Sequence, residues 1–425
     1  MLGINDIVIT GMGCVSPLGI GCEALYANLL AGRCAIAPYI TLSDAAQTTF
    51  YAAQIEEFDA KQFVTPRKAL KVMGREVQVA YSAAHLAWDA AGLRDFTPDP
   101  ERTGVVFGSE IIPGDIADLQ PAIASCAVDG RMDFASWGPS FAKHIYPLWM
   151  LKYLPNMAAC HIGIAVDARG PNNSLAMEEA SGLLALEEAA AIIRRGDADV
   201  MIVGACGARV TPTRMLYRAP ERYMLRTGSS AADQPPFARP FDARREGIVP
   251  GEGAAAIVLE RRSHAVRRRA PILAEVTGFS SRFGRPPVAN VGSQAAVAAA
   301  ASDALQQAGV AAGDLAHVSA QGYSQPQADI QEARAIAAVA PQAPVTAFSS
   351  YFGTAGAACG LMELIASIQA VRAGQTLPTL GYHTADPECP IDVCRRLQPT
   401  TAEHILKLSF TLQGQAAAVV VQCVK

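Results

Sequence analysis

Histidine, cysteine and glycine clusters are the first places where this 425-residue chain could do chemistry. His383, Cys389 and Cys394 lie near one another, but they lack the tight pairing of cysteines that structural zinc sites favour. Gly11 and Gly13 follow a strand-like run, yet the third glycine and the later acidic residue of a dinucleotide-binding loop are missing. We therefore expect neither a metal ion nor another cofactor.

The elements that must position any reactive side chain alternate between strands and helices. The first half contains strand-like runs and helical patterns at residues 6–13, 23–31, 75–91, 103–108, 181–195, 199–204 and 254–259. The alternation restarts after a basic stretch, with further elements at residues 294–308, 316–320, 328–339, 344–348, 359–373, 404–409 and 415–422. This order predicts an α/β fold of two comparable halves, residues 1–262 and 263–425.

Composition excludes several classes of protein. Charged residues make up 17% of the chain, hydrophobic residues 51%, and the net charge is -4, which argues against a nucleic-acid binder. No run of about 18 apolar residues suggests a membrane span, and the first residues lack a basic leader. The ten cysteines are too scattered for a disulfide scaffold. We expect a cytoplasmic protein with a large buried interior.

Three segments resemble the β-ketoacyl-acyl-carrier-protein synthases, or ketosynthases. Residues 239–254 read RPFDARREGIVPGEGA, close to that family's RPFD-x-x-R-x-G-x-V-x-G-E-G-A segment. Residues 8–19 and 195–204 are similar to the family's amino terminus and to its RGDADVM strand. The resemblance covers nearly the whole chain except residues 108–158. It implies a thiolase-like α-β-α-β-α layered sandwich of two pseudo-repeated halves, normally dimeric.

In working ketosynthases a cysteine accepts the acyl chain, two histidines stabilise the enolate and oxyanion, and a lysine supports them. In this chain the resemblance places Glu179 at the cysteine position. Gln321 and Thr354 stand at the histidine positions, and Ser349 stands at the lysine position. A carboxylate cannot form a stable acyl thioester, and none of the three other side chains is a cation. We therefore expect no Claisen condensation by this chain alone.

No nearby residue is an obvious substitute for the missing groups. The nearest thiols in sequence, Cys160 and Cys206, fall in segments that we interpret as strands rather than on the turn that carries the nucleophile. His317 precedes Gln321 by four residues on a predicted strand, so the two side chains should share a face about 13 Å apart. We interpret His317 as an ordinary strand histidine.

A loop near the carboxyl end resembles the family's S-F-G-F-G-G-T-N gating loop, which borders the substrate. Phe410 keeps the family's first phenylalanine, whereas Leu412 replaces the gate phenylalanine and Gln413 replaces a flexible glycine. The resemblance implies that these three residues contact substrate and that the gate moves differently here.

Several functions stay open at this point. Glu179 could simply fill the site, as a glutamine does in the chain-length-factor partners of type II polyketide ketosynthases, where the subunit shapes the acyl tunnel. Alternatively, Glu179 could be a general base or acid acting on a carrier-protein-bound chain as a hydrolase, isomerase or lyase. A scaffold or regulatory role is the third reading. The implied partners are an acyl carrier protein and either a second copy or an active ketosynthase.

Arginines between residues 214 and 245 could form a surface for an acidic carrier protein. Four of them recur every four residues, so a helix would place them along one face. The candidates are Arg214, Arg218, Arg222, Arg226, Arg244 and Arg245. The alternative is a solvated face with internal ion pairs to Glu221 and Asp242.

Overall fold

The computed structural model describes residues 7–41, 48–112, 114–211, 213–215 and 238–424. The strands are β1 Ile7–Ser16, β2 Gly19–Ile20, β3 Ile36–Thr41, β4 Thr48–Ala53, β5 Thr103–Gly108, β6 Ala127–Val128, β7 Arg131–Met132, β8 Asn172–Leu175, β9 Val200–Ala208, β10 Glu252–Arg261, β11 Ala274–Phe283, β12 Leu315–Ala320, β13 Pro344–Ala347, β14 Gln375–Thr376, β15 Asp392–Val393, β16 Gln398–Pro399, β17 His404–Phe410 and β18 Gln415–Cys423. The helices are α1 Cys22–Leu30, α2 Arg75–Ala90, α3 Ile116–Ser125, α4 Trp137–His144, α5 Met157–Ala165, α6 Ser181–Arg195, α7 Arg262–Arg267, α8 Gln294–Ala308, α9 Pro326–Val339, α10 Ser349–Phe352 and α11 Cys359–Arg372.

The two halves of the chain build sheets with the same strand order. The first sheet runs β8-β5-β9-β10-β1 and the second runs β13-β12-β17-β18-β11, with β15 beyond β13. In each sheet the first two pairings are parallel and the next two are antiparallel. The sheets join where β1 pairs briefly with β11. The predicted pair of repeated halves is therefore confirmed, although their boundary at residue 262 stays a prediction.

Matching glycines show how closely each half packs its outer helix. A side chain at Gly11 would lie 2.2 Å from the carbonyl oxygen of Ala87 in α2, and one at Gly278 would lie 2.1 Å from that of Ala304 in α8. Each glycine follows a shift in strand register. The backbones of helix and strand therefore meet directly at both places, which only glycine allows.

Helices α6 and α11 lie between the two sheets. Helix α6 packs on β9 and β5 of one sheet and on β18 of the other, while α11 packs on β17 and β10. Almost every residue of α11 is buried, as expected for a helix with protein on all sides. Because α2 and α8 cover the outer faces, the layers alternate α-β-α-β-α, as the resemblance implied.

The structure corrects one prediction about local structure. Cys160 lies in α5 rather than in a strand, because the periodicity of this short apolar segment does not distinguish the two. Cys206 does lie in a strand, β9. Predicted helices at residues 181–195 and 294–308 have the bounds observed for α6 and α8. No helix in the described part of the chain is long and apolar enough to span a membrane.

Candidate active site

Glu179 lies just before the central helix α6, in the short 3-10 turn Glu178–Ala180 that follows β8. The turn is sharp, since Glu178 has a φ of 47°, a conformation that is costly for any residue with a Cβ. The Glu179 side chain is buried, and one of its carboxylate oxygens, Oε1, accepts a hydrogen bond from Nη1 of Arg209. Within the described residues its other oxygen, Oε2, has no hydrogen-bond partner.

Arg209 is the counter-ion of Glu179, and it also holds a second carboxylate. It follows the end of β9, and its Nε atom donates to Oε1 of Glu110 at 3.0 Å and to Oε2 at 3.2 Å. Nη2 donates to Oε1 of the same carboxylate. Burial opposes the charge of Arg209, but the carboxylates of Glu110 and Glu179 outweigh it and raise the pKa of the guanidinium well above its usual value. Arg209 is therefore a permanent buried cation.

The network continues through a second arginine to the edge of the site. Arg214 donates from Nη1 to Oε2 of Glu110 at 2.8 Å, and its Nη2 atom lies 2.7 Å from Oε1 of Glu76 at the start of α2. Burial raises the pKa of Glu76, and Arg214 opposes that shift. We call the series Glu179, Arg209, Glu110, Arg214 and Glu76 the charge ladder. Glu76, Glu110 and Arg209 are distant in sequence and belong to no motif, so no sequence pattern predicted their place in this site.

The other three residues that the resemblance places at catalytic positions are also buried: Gln321, Ser349 and Thr354. Ser349, at the start of α10, donates its hydroxyl to the carbonyl of Gly322, the neighbour of Gln321. The amide N–H of Thr354 donates to the carbonyl of Val249 at 2.7 Å. Two residues later, a side chain at Gly356 would lie 2.6 Å from Nε of Arg209. The loop after α10 therefore packs directly on the charge ladder.

Gln321 is held by its backbone rather than by its side chain. Its amide N–H and that of Gly322 donate to the two oxygens of the Glu332 carboxylate, at 2.7 and 2.8 Å. Burial raises the pKa of Glu332 to about 8 despite those two N–H groups. Both polar atoms of the Gln321 carboxamide lack a partner within the described residues, although the side chain is fully buried.

A buried lysine lies close to the replaced positions, and the sequence analysis did not identify it. Lys407, on β17, is fully buried, and its Nζ atom donates to the carbonyls of Ser319 and Ala320 at 3.2 Å each. It also forms an ion pair with Glu363 on α11. Burial raises the pKa of Glu363 to about 7, while Lys407 opposes the shift. The molecule thus keeps an ammonium group in its central layer, although Ser349 is not a lysine.

Neither His317 nor Cys359 is placed as a reactive group. His317 is buried on β12 with Nε2 3.0 Å from the hydroxyl of Ser367, and burial lowers its pKa to about 3, aided by Lys407. Cys359 lies at the start of α11, where its sulfur accepts the amide N–H of Ala355. Burial raises its pKa well above the usual value, so the thiol stays protonated and unreactive.

The predicted gating loop forms the tight turn between β17 and β18. Phe410 is buried against Tyr323, with ring centroids 5.1 Å apart, and Leu412 packs partly on the core of the second half. Gln413 is exposed at the tip. A side chain at Gly414 would lie 2.0 Å from the carbonyl of Gly284, which holds this turn against its neighbour. Substrate contact by these residues stays a prediction.

The proposed arginine surface for a carrier protein is wrong for two of its members. Arg214 is buried in the charge ladder, and Arg245 is buried with Nη1 2.7 Å from Asp386. Neither guanidinium is free for a carrier protein, because each forms ion pairs with carboxylates of this chain. Arg244 is exposed and pairs with Asp242, as the alternative interpretation predicted. The remaining residues of that prediction lie outside the described part of the chain: Arg218, Glu221, Arg222 and Arg226.

Comparisons with known proteins agree with this architecture. The family model "Beta-ketoacyl synthase, N-terminal domain" matches residues 5–265, and "Beta-ketoacyl synthase, C-terminal domain" matches residues 273–383. The 3-oxoacyl-[acyl-carrier-protein] synthase 2 of Coxiella burnetii is 30% identical over 419 residues, which cover 96% of each chain.

Two solved structures from polyketide systems are also similar. The ishigamide ketosynthase/chain length factor has a TM-score of 0.81 and 25% identity, with 99% of each chain covered. A type II polyketide synthase acyl-carrier protein in complex with its hexaketide-bound ketosynthase has a TM-score of 0.82 and 25% identity, with 98% of this chain and 99% of that chain covered. The fold is that of the thiolase-like ketosynthases. The chain belongs to the β-ketoacyl synthase family. The relatives named above serve fatty-acid and polyketide synthesis.

Proposed function

We propose that this chain is a ketosynthase-like subunit that does not catalyse condensation and that pairs with an active ketosynthase. The observation that carries the proposal is the buried ion pair between Glu179 and Arg209 at the start of α6. By resemblance this is the place of the acyl-accepting cysteine. A carboxylate already bound to a guanidinium cannot accept and release an acyl group as a thiolate does.

The surroundings of Glu179 support the same conclusion. Gln321, Thr354 and Ser349 offer no imidazole or ammonium to stabilise an enolate. Among the described residues, the buried cations nearby are all paired with carboxylates: Arg209, Arg214 and Lys407. A cation that is already neutralised by carboxylates provides little stabilisation to a new oxyanion.

The pairing rests on similarity and on one edge of the sheet. The ishigamide structure contains a ketosynthase and a chain length factor, and the present chain is similar to it over nearly its whole length. Strand β8 lies at the edge of its sheet next to β5, and Asn172 and Asn173 are exposed there. An exposed strand edge is available for pairing with another chain. An acyl carrier protein would then dock on the assembled dimer; in the similar hexaketide-bound structure, an acyl-carrier protein is in complex with its ketosynthase.

One observation favours the alternative, an enzyme that uses Glu179 on a carrier-protein-bound chain. Oε2 of Glu179 and the carboxamide of Gln321 are buried without partners in the described residues, so a polar substrate group could bind them. In this alternative Glu179 would be the acid or base of a hydrolase, isomerase or lyase reaction.

Light scattering after size-exclusion chromatography and intact-mass spectrometry separate these functions. The chain would be purified alone and after co-expression with a tagged active ketosynthase from the same organism, then incubated with malonyl- and acyl-loaded carrier protein. We expect a heterodimer from co-expression, and no acylation of this chain and no change in either thioester from the chain alone. Loss of thioester with the wild type but not with Glu179→Gln would instead establish the enzyme.

A further inference from the structure

The charge ladder forms a continuous path from Glu179 to an open cleft. Its five residues have exposures between 2% and 6%, and they come from four separate parts of the chain. At the outer end, Glu76 and Arg214 line a cleft of about 220 Å³. Glu110, Arg209 and Glu179 do not line that cleft, so they lie behind its inner wall.

We propose that the charge ladder fills the space in which a ketosynthase subunit would hold an acyl chain beside its nucleophile, so that this subunit excludes acyl chains. Arg209 and Glu110 are the residues that determine this exclusion. The inference deepens the proposed function and rests on it: the chain would contribute to the assembly without holding acyl groups itself, and the growing chain would lie within the partner.

Separating the buried charges of the ladder is costly. Each arginine of the ladder contacts two carboxylates, and the inner three side chains are each only 3% exposed. An alkyl chain makes no hydrogen bonds, so its entry would leave these charges buried and unpaired. Breaking a buried pair in this way is strongly unfavourable. The ladder therefore selects against an apolar occupant.

Close packing also holds the inner part of the ladder in place. A side chain at Gly356 would lie 2.3 Å from Oε1 of Glu110 and 2.6 Å from Nε of Arg209, so the backbone of the loop after α10 lies directly against the pair. Gly356 has a φ of 60°, a left-handed conformation that glycine adopts without strain. Arg209 is further fixed by its two-atom contact with Glu110.

The formal charges of the five ladder residues do not cancel. The ladder contains three carboxylates and two guanidiniums, so it carries a surplus negative charge when all five groups are ionised. A surplus negative charge repels a carboxylate such as that of a malonyl group. The buried ion pairs, their close packing and the surplus negative charge thus all oppose binding of the usual substrates of the family.

Isothermal titration calorimetry with dodecanoyl pantetheine tests the exclusion. We expect no saturable heat with the wild type. The variant Glu110→Gln, Glu179→Gln, Arg209→Ala removes the inner charges, leaves Glu76 paired with Arg214, and vacates the volume of the Arg209 side chain. We expect this variant to bind the probe saturably, with one site per chain.

A matched control removes another buried ion pair far from the cleft. Arg268 and Glu260 are paired, with almost fully buried side chains, at the edge of α7, so the variant Glu260→Gln, Arg268→Ala removes a buried carboxylate and a buried guanidinium there and makes the same Arg→Ala change of volume. We expect no binding of the probe by this control. Circular dichroism verifies that each variant is folded.

Two results would overturn the exclusion: saturable binding of dodecanoyl pantetheine by the wild type, or its absence in the folded ladder variant. The wild-type measurement needs no variant and stays decisive if a variant does not fold. If the wild type bound dodecanoyl pantetheine and left its thioester intact, only the proposed exclusion of acyl chains would be contradicted. Turnover of the thioester by the wild type would contradict the proposed function itself.

Discussion

Two buried clusters of charge in this molecule use the same residue types for different ends. In the charge ladder, arginines and glutamates are bound almost entirely to one another. In the second cluster, Asp242 and Arg245 mostly bind backbone groups. Asp242 accepts the amide N–H groups of His383 and Thr384 at 2.7 Å each, and Arg245 donates to the carbonyls of Asp242 and Pro326 at 2.9 Å.

The Asp242–Arg245 cluster holds loops, whereas the charge ladder fills a site. The Asp242–Arg245 cluster lies in the segment that most resembles the ketosynthase family, and it connects the loops before α9 and after β14. The charge ladder holds few backbone groups, and its residues belong to no family segment except for Glu179. The cluster that belongs to the family's scaffold is therefore distinct from the charge ladder, although both are buried ionic clusters.

The largest effect is expected from Arg209→Met. The substitution leaves Glu110 without one counter-ion and Glu179 with none among its described contacts, which should cost about 3–5 kcal/mol of unfolding free energy. Urea unfolding measures the loss. Adding Glu179→Gln should recover a large part of it, because the unpaired carboxylate is then removed. Equal losses in the single and double variants would show that the ladder does not act as a chain of coupled pairs.

A smaller and more local effect is expected from Asp242→Asn. One carboxylate oxygen, Oδ2, accepts the N–H groups of both His383 and Thr384, and the other, Oδ1, accepts the backbone N–H and Nε of Arg244. An amide accepts through only one oxygen, so it leaves one of these two sets of donors in the loop around residue 242 without an acceptor, at a cost of about 1–3 kcal/mol. Hydrogen exchange should accelerate first in that loop rather than around Glu179. Faster exchange at the start of α6 would contradict the separation of the two clusters.

The pH dependence of stability tests the protonation of Glu332, whose carboxyl group binds the backbone N–H of Gln321. Burial raises the pKa of Glu332 to about 8 and that of Asp329 to about 6, even though hydrogen bonds and Arg245 oppose the shifts. The folded state then holds protons that the unfolded state has released, so stability should fall as pH rises from about 5 to about 8.

The variant Glu332→Gln should remove much of this slope. Urea unfolding at pH 6, 7 and 8 should show a dependence flatter by about 1 kcal/mol per pH unit than that of the wild type. Asp329→Asn is the matched variant on the same helix. Its effect on the slope of stability against pH should be confined to pH values below about 6, near the pKa of Asp329. An unchanged slope in Glu332→Gln would show that Glu332 stays ionised.

The smallest effect is expected from Arg244→Ala. The side chain of Arg244 is half exposed and pairs with Asp242 through Nε at 3.2 Å, so its removal should cost about 0–1 kcal/mol. Thermal unfolding in low and high salt measures the change. A loss comparable to that of Asp242→Asn would mean that Arg244 belongs to the scaffold rather than to the solvated surface.

The order of elements was predictable because each has a local signal. Helix α8 begins after Ser293, whose hydroxyl caps the helix by accepting the amide N–H of Ala296, and it ends at Gly309 in the left-handed conformation. Such signals depend on a few neighbouring residues. The segment around Cys160 was misjudged because a short apolar run fits both a helix and a strand.

The sequence by itself determined the family, the repeated α/β order and the identity of the four residues at the expected catalytic positions. Those conclusions depend on local patterns and on motifs that can be compared letter by letter. Only the tertiary structure decided what faces Glu179. Arg209, Glu110, Arg214 and Glu76 meet because the sheets and α2 bring distant segments together, and burial then makes each charge require a partner. Spacing along the chain carries no information about such contacts.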